Sequence, residues 1–154
     1  MSGMSRTSAR AIIIKDDKLL VMYRNKFGTK YVTLPGGKVD MGETPDQAAI
    51  REVQEETMIK AENPRLVFVD HAEFYGQQMV YLCDYISGEP KLGSGTHEEA
   101  INKMGKNLYE PGWLALSDLP NVPFLSAELQ QAIIAASKNG WPEQVQEFAS
   151  KRNV

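Results

Sequence analysis

The stretch that decides the reading of this chain is Leu34–Ile59, LPGGKVDMGETPDQAAIREVQEETMI. Thr44 followed by Pro45, with Gln47 three positions after the threonine, has the form of a capped helix start: a hydroxyl, a proline at the first helical position and a side chain able to reach back. The spacing predicts a helix from Pro45 to about Thr57. At roughly 100° per residue, Ala49, Ile50, Val53 and Thr57 share one face, while Glu52, Glu55 and Glu56 share another. Ala49, Ile50 and Val53 can dock on a core. The carboxylates at i, i+3 and i+4 repel one another by a few tenths of a kcal/mol per pair in an isolated helix, so a positive group is expected beside them. Three converging oxygen-bearing side chains suit a hard divalent cation, Mg²⁺ in particular, because it keeps several waters and bridges to phosphate oxygens.

A plainer reading of the same run is a solvated acidic face with Arg51 and Lys60 as partial counter-charges. The preceding loop favours the first reading. Leu34-Pro35-Gly36-Gly37 follows the strand-like Tyr31–Leu34, and adjacent glycines allow backbone conformations or ligand approach that a Cβ would forbid. A carbonyl there can add a hard ligand. Gly42 then precedes Glu43, which is placed to orient groups at the helix start.

Gly37, then Glu43 after five residues, then after seven more Arg51-Glu52-Val53-Gln54-Glu55-Glu56-Thr57 and the apolar Ile59, resembles the Nudix box of MutT-like diphosphohydrolases. One position departs: Met58 stands where that box carries glycine, at the expected helix C-terminus, where a left-handed residue is favoured. The resemblance implies an α/β fold, an α/β/α sandwich around a mixed β-sheet, for the single domain expected over residues 9–150; residues 1–8, MSGMSRTS, are small and polar and read as a flexible end. It also implies that the Gly37 carbonyl, Glu52, Glu55, Glu56 and one glutamate from a later loop hold Mg²⁺, with Mn²⁺ as a substitute. By spacing within GTHEEAINKMGKNLYEPGW, which resembles a segment of bacterial members through Tyr109, Pro111 and Trp113, Glu99 is favoured over Glu98 as the additional ligand.

Outward from the box, 154 residues with 42% hydrophobic and 24% charged side chains suffice for one ordinary core. The net charge of −3 argues against broad polyanion binding, so nucleic acid is not the expected partner, whereas a single nucleotide is compatible. Cys83 is the only cysteine, and a buried, inert thiol in a reducing cytoplasm is expected. The apolar AIII run near the start is too short for a signal peptide or a membrane span, so the chain reads as soluble and cytoplasmic. The resemblance leaves a homodimer among the allowed assemblies.

Strands are expected over Arg10–Ile14 and Lys18–Tyr23, around Asp16-Asp17, and over Tyr31–Leu34, Arg65–Phe74, Gln78–Ile86 and Trp113–Leu116. Residues 24–30 read as a basic loop, whose Arg24, with Tyr31 just beyond it, could meet a substrate's phosphates or base, as could Lys38. Each has a plain alternative as a solvated or packed side chain. Asn63-Pro64 is read as ending the helical region. Ser126 is expected to cap a helix ending near Asn139-Gly140, and Trp141-Pro142 to open a shorter polar helix to about Ser150. His71 and His97, isolated in sequence, read as surface or hydrogen-bonded rather than catalytic.

A diphosphate resists hydroxide because its oxygens are negative; divalent ions screen that charge and lower the pKa of bound water. The chain is therefore expected to be a Mg²⁺-dependent hydrolase of a nucleoside diphosphate linked to another moiety. Glu52 or Glu55 would act as general base and Arg51 would orient a glutamate. The box most resembles enzymes splitting (deoxy)nucleoside triphosphates, including oxidised ones. Alternatives are ADP-ribose or nucleotide-sugar substrates, whose marker proline past the box is absent, and dinucleoside polyphosphates, suggested by Tyr75. A nucleotide-binding domain without turnover is the alternative of another class.

Overall fold

The apolar run near the start becomes the middle of a sheet. In the computed structural model, which describes residues 7–92, 102 and 105–154, strand β1 (Thr7–Lys15) lies between β6 (Gly76–Ser87), which is parallel to it, and β2 (Lys18–Lys26), which is antiparallel. A strand covered on both faces reads as a continuous apolar run rather than an alternation. Accordingly Ile12 faces one core with Leu19, Val21 and Phe68, and Ile13 faces another with Leu20, Ala49 and Val53; both are fully buried.

The eight strands follow the order β3-β2-β1-β6-β5-β8, with β4 added on β1 and β7 on β2. β3 is Thr29–Thr33, β4 is Gly36–Lys38, β5 is Lys60–Ala72, β7 is Asn107–Ala115 and β8 is Gln146–Ser150. β1–β6 and β5–β8 are parallel and the other pairs antiparallel, so the sheet is mixed. Helix α1 (Pro45–Thr57) covers one side and α2 (Ala127–Asn139) the other, giving the α/β/α sandwich. Small side chains on α1, Ala48 and Ala49, let it settle against β1 and β4.

Both helix starts behave as their sequences require. The Thr44 amide donates to Gln47 Oε1 at 3.1 Å, and Ser126 Oγ accepts from the Leu129 amide at 3.2 Å. Other expectations are corrected. Thr7 and Ser8, expected in a flexible end over residues 1–8, belong to β1; residues 1–6 lie outside the described residues. The basic loop is a hairpin: β2 and β3 run on to Lys26 and Thr29, turning on Phe27 and Gly28 with φ of 51° and 93°. β5 starts at Lys60 and absorbs Asn63-Pro64 as a register shift between Glu62 and Arg65. β7 begins at Asn107, six residues before the expected Trp113, and carries Pro111 as an edge strand can, its only strand partner among the described residues being β2.

The helix expected over 141–150 is absent. Residues 146–150 instead form β8, parallel to β5, with Phe148 opposite Asp70. Trp141 and Phe148 pack on Phe68 with ring centroids at 6.3 and 5.8 Å. Burying an aromatic ring contributes about 1.5–3 kcal/mol. That exceeds the few tenths per residue by which helix propensity could oppose it.

Met58 ends α1 in the left-handed region, φ 65°, its amide donating to Gln54 O at 3.0 Å, with 51% of the residue exposed. Met58→Gly is expected to raise the unfolding free energy by about 0.5–1 kcal/mol, the relief of the left-handed penalty less glycine's greater chain entropy. The check is a higher urea midpoint at unchanged slope. A lower midpoint would show that the methionine side chain contributes more than its backbone strain removes.

Candidate functional site

Where β4 meets α1, backbone and carboxylate touch. Gly36 has φ 146° and passes so close to β1 that a Cβ would lie 2.1 Å from the Ala9 carbonyl oxygen. Its amide donates to Glu56 Oε2 at 3.1 Å. At Gly37 a Cβ would sit 2.8 Å from the Glu52 carboxyl carbon. Glycine is therefore needed twice, once for backbone on backbone and once for a carboxylate laid on backbone.

The three glutamates differ in environment, so the single acidic face expected from the helix wheel is divided. Glu56 is 6% exposed and belongs to the buried side; the Glu52 and Glu55 side chains are 17% and 54% exposed. Ile50, expected in the core, is only half-buried, and Ala48 takes its place.

Arg51 is the positive group beside these acids. Its Nε donates to Glu43 Oε2 at 2.7 Å and its Nη2 to Glu43 Oε1 at 3.0 Å, a two-pronged pairing. Nη1 reaches Glu52 at 3.1 Å and Glu55 at 3.0 Å, and Nη2 lies 3.3 Å from Asp40. This guanidinium is pushed further up by its bond to Glu43, while that same bond, helped by the Asp40 amide at 3.1 Å, holds the Glu43 carboxyl below the usual glutamate range. The Lys38 carbonyl also accepts from Arg51, so one residue links loop and helix.

A cleft of about 330 Å³ opens above this junction, with Gly36, Gly37, Lys38 and Glu56 on one side and Arg10, Arg24, Tyr75 and Tyr109 among the residues around it. Lys38 is exposed at its rim. Arg24 is not on a loop: it sits in β2, 9% exposed, donating to the Leu108 carbonyl at 3.2 Å and to Asn107 Oδ1, its guanidinium 3.6 Å from the Tyr109 ring centroid and 5.6 Å from that of Tyr31. Tyr31 is only 4% exposed and backs Arg24 instead of facing the cleft. The register explains the row, because Arg24 lies opposite Tyr31 on β3 and Tyr109 on β7. Sequence reasoning passed over Arg10 and Tyr109 as cleft residues; only the sheet register brings them there.

The donors at the junction, carboxylates and a peptide carbonyl, are hard oxygens of the kind Mg²⁺ takes, and the cradle at Gly37 is filled by a carboxylate where other residues would place a side chain. On that chemistry the residues fit a divalent cation. Among the described residues no three acidic, histidine or cysteine side chains are already gathered around one point, since Arg51 holds Glu52 and Glu55 to itself. Glu98, Glu99 and His97 lie outside the described residues. His71 is on the surface, as expected, 3.5 Å from Glu147. Cys83 is buried, and burial pushes its thiol up to about 12, so it stays protonated and inert at neutral pH. No helix among the described residues is long and apolar enough to cross a membrane.

Comparison with known proteins agrees with this geometry. The chain is 32% identical over 112 residues to the NAD-capped RNA hydrolase NudC of Escherichia coli (strain SMS-3-5 / SECEC), covering 72% of this chain but 39% of that protein. It thus spans about two fifths of the length of the curated relatives it matches. Among solved structures it is similar to a MutT NUDIX hydrolase from Burkholderia pseudomallei, 28% identical with a TM-score of 0.54 over 75% of this chain and 87% of that one. An ADP-ribose pyrophosphatase from Streptococcus suis shares the fold, with a TM-score of 0.67 over 94% of this chain and 100% of that one at 19% identity. The family profile described as NUDIX domain matches residues 4–133. With that profile over most of its length and the glycine turn set against Glu52 and Glu56, this chain belongs to the NUDIX family.

Proposed function

We propose that this chain hydrolyses the diphosphate bond of a nucleoside diphosphate linked to another group, with Mg²⁺ held where β4 meets α1. The observation that carries the reading is the Glu56 carboxylate, 6% exposed and fixed by the Gly36 amide, on a cleft that also presents Arg10, Arg24 and Lys38. Acid against base across one cleft suits a ligand that is itself anionic but arrives with a cation.

In this reading the Gly37 carbonyl, Glu52, Glu55 and Glu56 hold the ion, joined by Glu99. When bound, the ion screens the phosphate oxygens and lowers the pKa of water. The chain's own residues supply the rest. Arg51, clamped by Glu43, orients Glu52 and Glu55 by charge-assisted hydrogen bonds. Glu52 or Glu55, whichever the ion leaves less engaged, takes the proton from the attacking water. Lys38 at the rim meets a phosphate oxygen, and Arg24, backed by Tyr31, adds positive charge to the cleft.

A (deoxy)nucleoside triphosphate heads the substrate order. Similarity to NAD-capped RNA hydrolases supports including dinucleotides such as NAD, and the fold shared with an ADP-ribose pyrophosphatase supports including ADP-ribose. All carry a nucleoside diphosphate, and in this reading the β4–α1 junction meets that group, not the base.

Two outcomes are expected. With Mg²⁺, phosphate or nucleotide release from at least one member of a panel of triphosphates, ADP-ribose, nucleotide sugars and dinucleotides should fall about a hundredfold or more in Glu56→Gln. Undiminished turnover would remove the metal role of Glu56, and no turnover on the whole panel would favour a binding domain. In Arg51→Ala, a carboxyl NMR titration of Glu43 should move its pKa up toward the ordinary glutamate value. Because the folded value is depressed, the stability it contributes is present above the unfolded pKa and is lost as pH falls through the folded one; the variant should lose part of that acid-side slope. An unmoved Glu43 titration would show that Arg51 does not hold it.

A further inference from the structure

Arg10 projects from β1 into the cleft and is bound on every side except one. Its Nε donates to Gln78 Oε1 at 3.0 Å, and its Nη1 to the carbonyls of Leu34 and Gly36 at 3.3 and 3.2 Å. Its guanidinium carbon lies 5.2 Å from the centroid of the Tyr75 ring. Among the described residues no carboxylate pairs with it, and Nη2 has no protein acceptor. A partly buried guanidinium without a counter-charge is unfavourable unless something anionic completes it. Gly36 alone separates it from the acidic side of the cleft: the Gly36 carbonyl accepts from Arg10 and the Gly36 amide donates to Glu56.

Behind Arg10 stands a buried polar line. Gln78, 3% exposed, takes Arg10 on its carbonyl oxygen and donates its amide to Asp70 Oδ2 at 3.2 Å. Asp70 is fully buried; burial pushes its carboxyl up, and hydrogen bonding from Ser150 and Gln78 opposes that. An apolar pair would fill this position more favourably than a buried carboxyl. What the carboxyl does provide is direction. An acceptor at Asp70 turns the Gln78 amide nitrogen inward, which aims the Gln78 oxygen at Arg10. Reversing the amide would set two donors against each other.

We propose that Arg10 is an anion-binding residue of this cleft, contacting a phosphoryl oxygen of the diphosphate through Nη2, and that Gln78 and Asp70 are positioning residues that hold it there. The inference deepens the diphosphate reading above and rests on it for the identity of the ligand. Arg24 is not a substitute. Its guanidinium is occupied by Leu108, Asn107 and the Tyr109 ring, whereas Arg10 keeps one edge for a ligand. A charged N–H donor suits a phosphate oxygen, and loss of such a contact costs about tenfold or more in binding.

The test is calorimetric binding of inorganic pyrophosphate in magnesium-containing buffer to the intact chain and to Arg10→Ala, Arg10→Lys and Gln78→Met, each checked by thermal unfolding. Binding should weaken about tenfold or more in Arg10→Ala, by a smaller factor in Gln78→Met, and be only partly restored in Arg10→Lys, which keeps the charge but loses the Gln78 bond. On whichever nucleotide is turned over, the same variants should raise KM more than they lower kcat. Pyrophosphate affinity unchanged in Arg10→Ala, or no binding to the parent chain, overturns the proposal whatever the turnover. Asp70→Asn serves where Gln78→Met fails to fold, and parent-like affinity there would overturn the positioning role alone. Failure of the hydrolase reading shows separately, as no turnover by the parent chain on any member of the substrate panel.

Discussion

The contact on which the site depends is the press of a glycine turn against an acidic helix. β4 can pair with β1 only because Gly36 has no Cβ to strike the Ala9 carbonyl, and α1 can lie beneath it only because Gly37 leaves room for Glu52. Ala48 and Ala49 are the counterpart on the helix, keeping its inner face thin. Close packing and a carboxylate row then occupy the same few ångströms. Neither feature could be moved without moving the other, and that explains why glycines and glutamates recur at fixed separations along this part of the chain.

Electrostatics sets the second constraint. Glu43, Glu52, Glu55 and Asp40 would repel one another, yet each lies within 3.3 Å of Arg51. An arginine can serve several acids because its donors lie in a fixed planar fork. Glu56 is outside that fan and is held by backbone instead. The acids are thus divided into a set tethered by one arginine side chain and one fixed by the fold.

Much of this was legible in the sequence. Helix α1 runs from Pro45 to Thr57 as its cap and periodicity indicate, Met58 takes the left-handed conformation expected of its position, and the first hairpin turns at Asp16-Asp17. These are local matters, settled within a few residues. What was not legible is long-range. QEFAS becomes a strand because the outer edge of β5 is open to it and Phe68 needs covering, facts that lie about eighty residues away in sequence. Arg24 was read as a loop residue because nothing nearby shows that Tyr31 and Tyr109 flank it on adjacent strands. The helix wheel placed Glu56 with its acidic neighbours correctly in angle, but burial is decided by what lies overhead. Glu99 stays as the sequence left it, beyond the described residues.

The central claim is that the turn and helix gather oxygen atoms around a divalent cation. Its most direct measurement is the anomalous difference map of a crystal grown or soaked with Mn²⁺, which takes the same oxygen donors as Mg²⁺ and scatters strongly enough to be located. The account predicts a peak between the Gly37 carbonyl and the carboxylates of Glu52 and Glu56. A well-diffracting soaked crystal with no peak there, or with manganese bound only elsewhere on the surface, would contradict it.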